Sequence, residues 1–313
     1  MSFSNEAVSL RGKRKRIHVN RARLRRNRIT GWLFISPWFI GFLAFALFPF
    51  LASLYYSFTN YDIISSPQWI GLQNYSKLMH DPLFWHSLYN TLYYTVFSVP
   101  LSTIVALCIA LLLNMNIRGL TIYRTVFYLP AIVPFVASSV LWLWLFNPSF
   151  GFIDALLRAV GLPAPGWLYS VHWVKPSFIL MSLWGVGQTV VIYLAGLQGV
   201  SKELYEAAII EGANAWQRSI KITIPMISPV ILFNVIMGLI GSFQFFTQAY
   251  VMTQGGPDNA SMFFALYLYQ QAFQFLHLGY ASAMAWLLFV LILVVTVLVY
   301  RGSSRWVYYG SEQ

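Results

Sequence analysis

Six stretches free of Asp, Glu, Lys and Arg, at 29–61, 83–117, 125–153, 176–201, 222–257 and 259–300, dominate this chain of 313 residues. Each exceeds the roughly 20 apolar residues that cross a hydrocarbon core. A water-soluble core must interleave charged surface every few residues, whereas here only 9% of residues are charged and 58% are hydrophobic. Soluble domains carry roughly 25% charged residues, so lipid is the main solvent. In lipid only helices and closed barrels satisfy every backbone group, and these runs lack the alternation of barrel strands. The fold class that follows is all-α and integral to the membrane, with spans expected near 29–58, 87–113, 123–146, 176–198, 226–252 and 281–301.

Basic residues set the orientation, because they concentrate in short cytoplasmic loops. Ten precede the first span, in a basic arm over 1–28. With that arm inside, Arg118, Arg124, Lys202, Arg218, Lys221, Arg301 and Arg305 also fall inside, against Lys77, Arg158 and Lys175 outside. Both termini, including a tail over 302–313, are expected in the cytoplasm, with the transmembrane domain at 29–301. The net charge of +11 also permits nucleic-acid binding, but topology and anionic lipid already account for the arm, and no nucleic-acid partner is expected. The first run is too long, and lacks the small-residue cleavage pattern, for a removed signal.

Chemistry within the chain is sparse. Cys108 stands alone, the five histidines lack the paired spacing of a zinc helix, and none of the lysines sits in Gly-Lys-Ser/Thr, so no metal and no phosphate-cradling loop is expected. The nine acids are dispersed and none pairs inside a span, which argues against an enzyme and against an ion-coupled carrier.

Loops carry more information. The outside segment between the first two spans is rich in aromatics and has Pro67 and Gly71 as turn signals, so it is expected to fold over the helix ends. A second outside segment predicts a short amphipathic helix over 153–160. On the inside, the 199–225 loop is too long and too patterned for a mere link. Ser201 can cap a helix carrying Glu206, Ala207 and Ala208, with Gly212 near its end. By itself that pattern also fits an interfacial helix resting on headgroups.

The segment ELYEAAIIEGANAWQRSIKITIPMISP resembles the signature of bacterial ABC importer permeases: Glu-Ala-Ala, three residues, Gly, nine residues, then Ile, any residue, Leu, Pro. Glu206, Ala207, Ala208, Gly212, Ile222 and Pro225 fit it, with Ile224 in the Leu position. GLQNY at Gly71, NTLYYTV at Asn90, YRTVFYLP at Tyr123, LAGLQGV at Leu194, GGPDN at Gly255 and GYASAM at Gly279 are similar to the carbohydrate-uptake branch, which includes the maltose and glycerol-phosphate permeases. The resemblance covers nearly the whole chain from the first span; the basic arm has no counterpart. It implies a type I ABC importer permease fold in the bacterial inner membrane, with the Glu-Ala-Ala loop as a coupling helix seated on an ATPase subunit. The implied partners are a second related permease (a different chain or a copy of this one), two ATPase subunits that bind ATP and magnesium, and an extracytoplasmic sugar-binding protein. No cofactor of its own is implied.

For the pathway, neutral groups must do the recognition, which suits a saccharide: hydroxyls pair with amides and ring faces stack on aromatics. Gln244 and Gln248 lie four apart in the fifth span, beside Ser242, Phe245 and Thr253, and a glutamine in lipid is costly unless it faces protein or a wet cavity. The relatives' sugar sites draw on this stretch. Trp184 and Gln188 in the fourth span are expected one helical turn apart, and Asn234 is the weakest candidate because a lone Asn can simply join helices. Phe245 or Trp184 is expected to stack on a sugar ring. Another solute such as glycerol phosphate is the alternative, and it would want a cation near mid-membrane.

Overall fold

The computed structural model describes residues 21–115 and 118–308, with side chains from Thr30 onward. Residues 1–20 of the basic arm and 309–313 of the tail lie outside the described residues, and Arg21 already begins the first helix. Two units, 1–53 and 54–313, are distinguished.

The first unit holds helix α1 (Arg21–Phe42), a π-helical turn at Leu43–Leu47, and the start of α2 (Phe48–Ser57). Proline lacks an N–H, and its ring crowds the carbonyl four residues back. For Pro49 that carbonyl belongs to Phe45, inside the π turn, where the widened backbone absorbs the conflict.

The second unit begins with an antiparallel pair, β1 (Thr59–Asn60) and β2 (Gln68–Trp69), in register Thr59 to Trp69, followed by α3 (Gln73–Met79). Asn74 Nδ2 donates to the Ser57 and Thr59 carbonyls, both at 2.9 Å, and Gly279 N–H donates to the Tyr61 carbonyl at 3.0 Å. The aromatic-rich segment thus covers helix ends, as its composition suggests.

Helix α4 (Pro82–Leu113) is the central post. Asp81 caps it by accepting from Leu83 N–H at 2.9 Å, with Pro82 in the first turn where a missing N–H costs nothing. Next come α5 (Leu120–Ile132) and α6 (Phe135–Leu145), bent 101° at their junction. Pro134 cannot donate to the Pro130 carbonyl, and a residue before proline is driven extended, as Val133 is at φ −69°, ψ 126°. The span expected over 123–146 is therefore two helices. So is that over 176–198: after α7 (Phe152–Ala159), α8 (Val174–Trp184) and α9 (Gly187–Gln198) meet at 46° around Gly185. Lys175 sits in the first turn of α8.

A loop carrying α10 (Lys202–Ile210), α11 (Ala215–Arg218), a π turn at Ser219–Thr223 and α12 (Ile224–Met226) leads into α13 (Ser228–Phe243) and α14 (Thr247–Met252). The second π turn again lies one turn ahead of a proline, Pro225. The last helices are α15 (Phe264–Tyr269) and α16 (Leu278–Ser303).

α4 packs against α8, α9 and α13, α6 against α14, and α13 against α16. Between lipid-solvated helices apolar burial drives little, so close approach matters. Ala106 and Ala110 on α4 are fully buried beside Val190, Tyr193 and Leu197 of α9 and Ile227 and Ile231. At the opposite end an aromatic core gathers Phe84, Phe146, Trp167, Phe178, Phe243, Phe263 and Phe264. Among the described residues four helical stretches are long and apolar enough to cross a membrane, and the two bent pairs bring the number to six, in an all-α membrane fold.

Candidate functional site: a polar cavity and an exposed loop

All seven residues expected to meet the substrate line one cavity of about 720 Å³. Its size falls within the 300–1,000 Å³ range of small-molecule sites. Its walls are α4, the α5–α6 break, the α8–α9 break and the α13–α14 junction, and its lining contains no Asp, Glu, Lys or Arg.

The route by which the glutamines meet differs from the expected helical face. α13 stops at Phe243, Gln244 is its C-cap, and Phe246 leaves the helical region at φ −134° before Thr247 restarts the helix. Gln244 and Gln248 therefore stand on two helices and converge on the cavity across the gap. The interruption is held by Phe245, which is 8% exposed and packs on Tyr94 at 4.4 Å, Phe263 at 4.9 Å and Phe178 at 5.3 Å between ring centroids. Enclosed in that way, Phe245 forms cavity wall and has little face left to stack on a ligand. Trp184 is half-buried, edge-on to Trp142 at 6.2 Å. It closes α8 while Gln188 opens α9, so these two are likewise joined across a break.

Two other candidates are partly committed elsewhere: Ser242 donates to the Leu239 carbonyl at 2.9 Å and Asn234 Nδ2 to the Val230 carbonyl at 2.8 Å, both within α13. Thr253 lies off the cavity, accepting from Ser261 Oγ at 2.7 Å. Sequence reasoning missed the facing wall. Tyr94, Ser98 and Ser102 descend α4 at four-residue intervals, and Ser102 Oγ lies 3.5 Å from Ser182 Oγ of α8. That interval was a readable signal. So were Pro130 and Pro134, since broken helices at membrane depth expose backbone only where it lines a cavity or is buried in protein.

Gly187 lets the α8–α9 elbow meet α5: a Cβ there would lie 2.5 Å from the Phe127 carbonyl oxygen. Beyond the cavity, two segments singled out in the sequence touch. Asn90 Nδ2 donates to the Asn259 and Met262 carbonyls at 3.0 Å, and its Oδ1 accepts from Lys175 Nζ at 2.9 Å. The Asn90 segment of α4 thereby holds the loop containing Gly255 and Pro257. At the N-terminus of α4, Asp81 accepts hydrogen bonds from the hydroxyls of Tyr267 and Tyr280. Burial pushes the Asp81 carboxyl up, but these two hydroxyls and the Leu83 and Phe84 N–H groups outweigh it and hold it below its ordinary value.

At the other end, Ser201 Oγ accepts from Glu203 N–H at 3.2 Å and starts α10. The helix ends at Gly212, φ +79°, with Ala213 N–H on the Ala208 carbonyl at 2.9 Å and Gly212 N–H on the Ile209 carbonyl at 3.0 Å. This double bond pattern needs a left-handed residue, which glycine supplies without strain. The two alanines do not form one outward face. Ala208 is buried, and Tyr205, whose hydroxyl meets Thr223 Oγ1 at 2.8 Å, faces inward with it. Glu203, Glu206, Ala207 and Ile210 form the outward stripe at helical spacing. Ile210 is 87% and Trp216 74% exposed. Ile222 packs into the core beneath, and Pro225 shapes the exit.

Residues 83–307 match the family described as "Binding-protein-dependent transport system inner membrane component". The chain is 41% identical to the "Probable ABC transporter permease protein YesP" of Bacillus subtilis over 298 residues, 93% of this chain and 95% of that one. It is 34% identical to the "Lactose transport system permease protein LacF" of Rhizobium radiobacter, covering 88% and 95%. Among solved structures, a chain of a bacterial alginate ABC transporter, in complex with an alginate pentasaccharide-bound periplasmic protein, superposes with a TM-score of 0.81 at 23% identity, covering 93% of this chain and 99% of that one. The fold is that of a type I ABC importer permease, and the chain belongs to the binding-protein-dependent transport system inner membrane component family.

Proposed function

We propose that this chain forms half of the translocation pathway of an ATP-driven importer for neutral oligosaccharides, delivered by an extracytoplasmic binding protein. The observation that carries the proposal is the uncharged cavity with an amide wall, Gln244, Gln248 and Gln188, facing a hydroxyl wall, Ser98, Ser102 and Ser182. Sugar hydroxyls donate and accept at once, so they pair with amides and hydroxyls without a charge being buried. Relatives named for lactose and for arabinooligosaccharides support the class. Glycerol phosphate is disfavoured because this chain brings no cation to the cavity.

ATP hydrolysis belongs to two separate subunits, one of which takes α10 of this chain in its groove, and a second related permease completes the pathway and meets the other. The exposed Ile210 and Trp216 support this seat: large apolar side chains at such exposure on a loop outside the spans mark a contact surface. The α10 end is then cytoplasmic, as are both termini.

Replacing Gln244 and Gln248 together by Leu tests the cavity in the assembled transporter. Sugar uptake is expected to fall by about tenfold or more, as removal of one or two hydrogen bonds dictates, while basal ATP hydrolysis persists. Unchanged uptake and selectivity would place recognition elsewhere.

A further inference from the structure

A second cavity, of about 230 Å³, opens where α4 ends, between α5 and α9. It lies beyond the pathway cavity and shares none of its residues. Its wall is mostly apolar, with Phe127, Val191 and Leu194 among the lining, while Tyr128 and Gln198 add polar groups and Arg124 is its one cation. The guanidinium is only partly used. Nη2 donates to the Leu113 carbonyl at 3.3 Å, the last residue of α4, while Nε is buried with no hydrogen-bond partner. Capping the helix end therefore leaves one donor directed at nothing, and a buried unpaired donor is costly.

Depth and exposure narrow the ligand. Leu113 and Gln198 are the last residues of their helices, so with these helices crossing the bilayer the guanidinium falls near the headgroup level of the leaflet on the α10 side. Phe127 and Val191 are 41% and 47% exposed, which opens the cavity on the flank of the molecule. The guanidinium charge on the cavity wall attracts an anion, and the apolar lining suits an acyl chain; inorganic phosphate answers only the first. We infer that this cavity binds an anionic glycerophospholipid, its phosphate on Arg124 and an acyl chain along Phe127, Val191 and Leu194. Guanidinium forks match phosphate oxygens in geometry and charge, and basic pockets between spans on the cytoplasmic side suit such headgroups. The inference borrows from the proposed function only the cytoplasmic side of α10, which selects the leaflet.

The test uses the complete transporter purified in detergent, with phosphatidylglycerol or phosphatidylcholine added and retained lipid counted by native mass spectrometry. Wild type is expected to retain phosphatidylglycerol severalfold over phosphatidylcholine: both bring a phosphate, but only the first is anionic overall, and the choline cation of the second is repelled by the guanidinium. Arg124→Gln is expected to erase the preference. Because that change also removes a helix cap, Ala195→Trp, which fills the cavity and leaves Arg124 in place, is expected to lower phosphatidylglycerol retention on its own. Equal retention of both lipids by wild type would overturn the inference, as would retention unchanged in both variants. Displacement of the lipid preference by millimolar inorganic phosphate would make the site a free-anion site, and loss of the second permease from Ala195→Trp complexes would show that protein fills the cavity; either outcome also overturns it. None of these readings depends on sugar transport, so the two proposals fail separately.

Discussion

Asp81 shows how one side chain can fasten three elements. It caps α4, and the hydroxyls that donate to it come from α15 and α16. Its carboxyl is held below the ordinary value, so the ionised form is bound more tightly when folded than when unfolded. Stability from this group is then fully present above the unfolded carboxylate value and is lost as pH falls through the lowered folded one. Asp81→Asn should cost about 2 kcal/mol, the scale of hydrogen bonds to a charged group, and should flatten the acid limb of a thermal-unfolding profile below about pH 4. A full acid limb in that variant would assign the limb to other carboxylates. In the sequence Asp81 is only one of nine dispersed acids. Its partners lie more than 180 residues away, a distance that no local pattern spans.

At the scale of elements, the crossings were legible because lipid imposes length and apolarity on each, and Ser201, Gly212 and the Glu-Ala-Ala spacing marked α10 through local capping rules. Breaks inside the crossings were less so. Pro130 and Pro134 carry their own signal, but the α13–α14 gap depends on Phe245 finding Tyr94, Phe178 and Phe263 from three other segments. The assumption of an unbroken helix put Gln244 and Gln248 on one face, while tertiary packing put them in one cavity by another path. The outward stripe of α10 likewise depends on tertiary packing: Ala208 is buried on the side where the Tyr205 hydroxyl meets Thr223. Gly212 gives this element its own prediction. A β-branched residue at φ +79° is strained by roughly 1–2 kcal/mol or more, so Gly212→Val should unravel the end of α10. Sugar-stimulated ATP hydrolysis should fall severalfold while the melting temperature of the membrane spans holds, and Gly212→Asn, which tolerates the left-handed region, should fall less. Equal effects from both variants would separate the glycine from coupling.

For the whole molecule, the two ends carry different work. One end is tied together by Asn90, Lys175 and the aromatic core, and the other presents α10 on a base of small-residue packing around Ala106 and Ala110. Helices that pass between them are bent at the cavity, so under the proposed function a push received at α10 would change bend angles at the cavity, in the manner of rigid-body gating. The central claim is that α10 is the place where that push is received. Cysteine cross-linking of the assembled transporter measures it most directly, with Ile210→Cys in this chain, Cys108 replaced by Ser, and single cysteines placed around the groove of the ATPase subunit. The account predicts a cross-link at one or more of these positions in both nucleotide-free and ATP-bound states, with a yield that changes between them. Absence of any cross-link from Ile210→Cys in every nucleotide state, in complexes that still hydrolyse ATP in response to sugar, would contradict it.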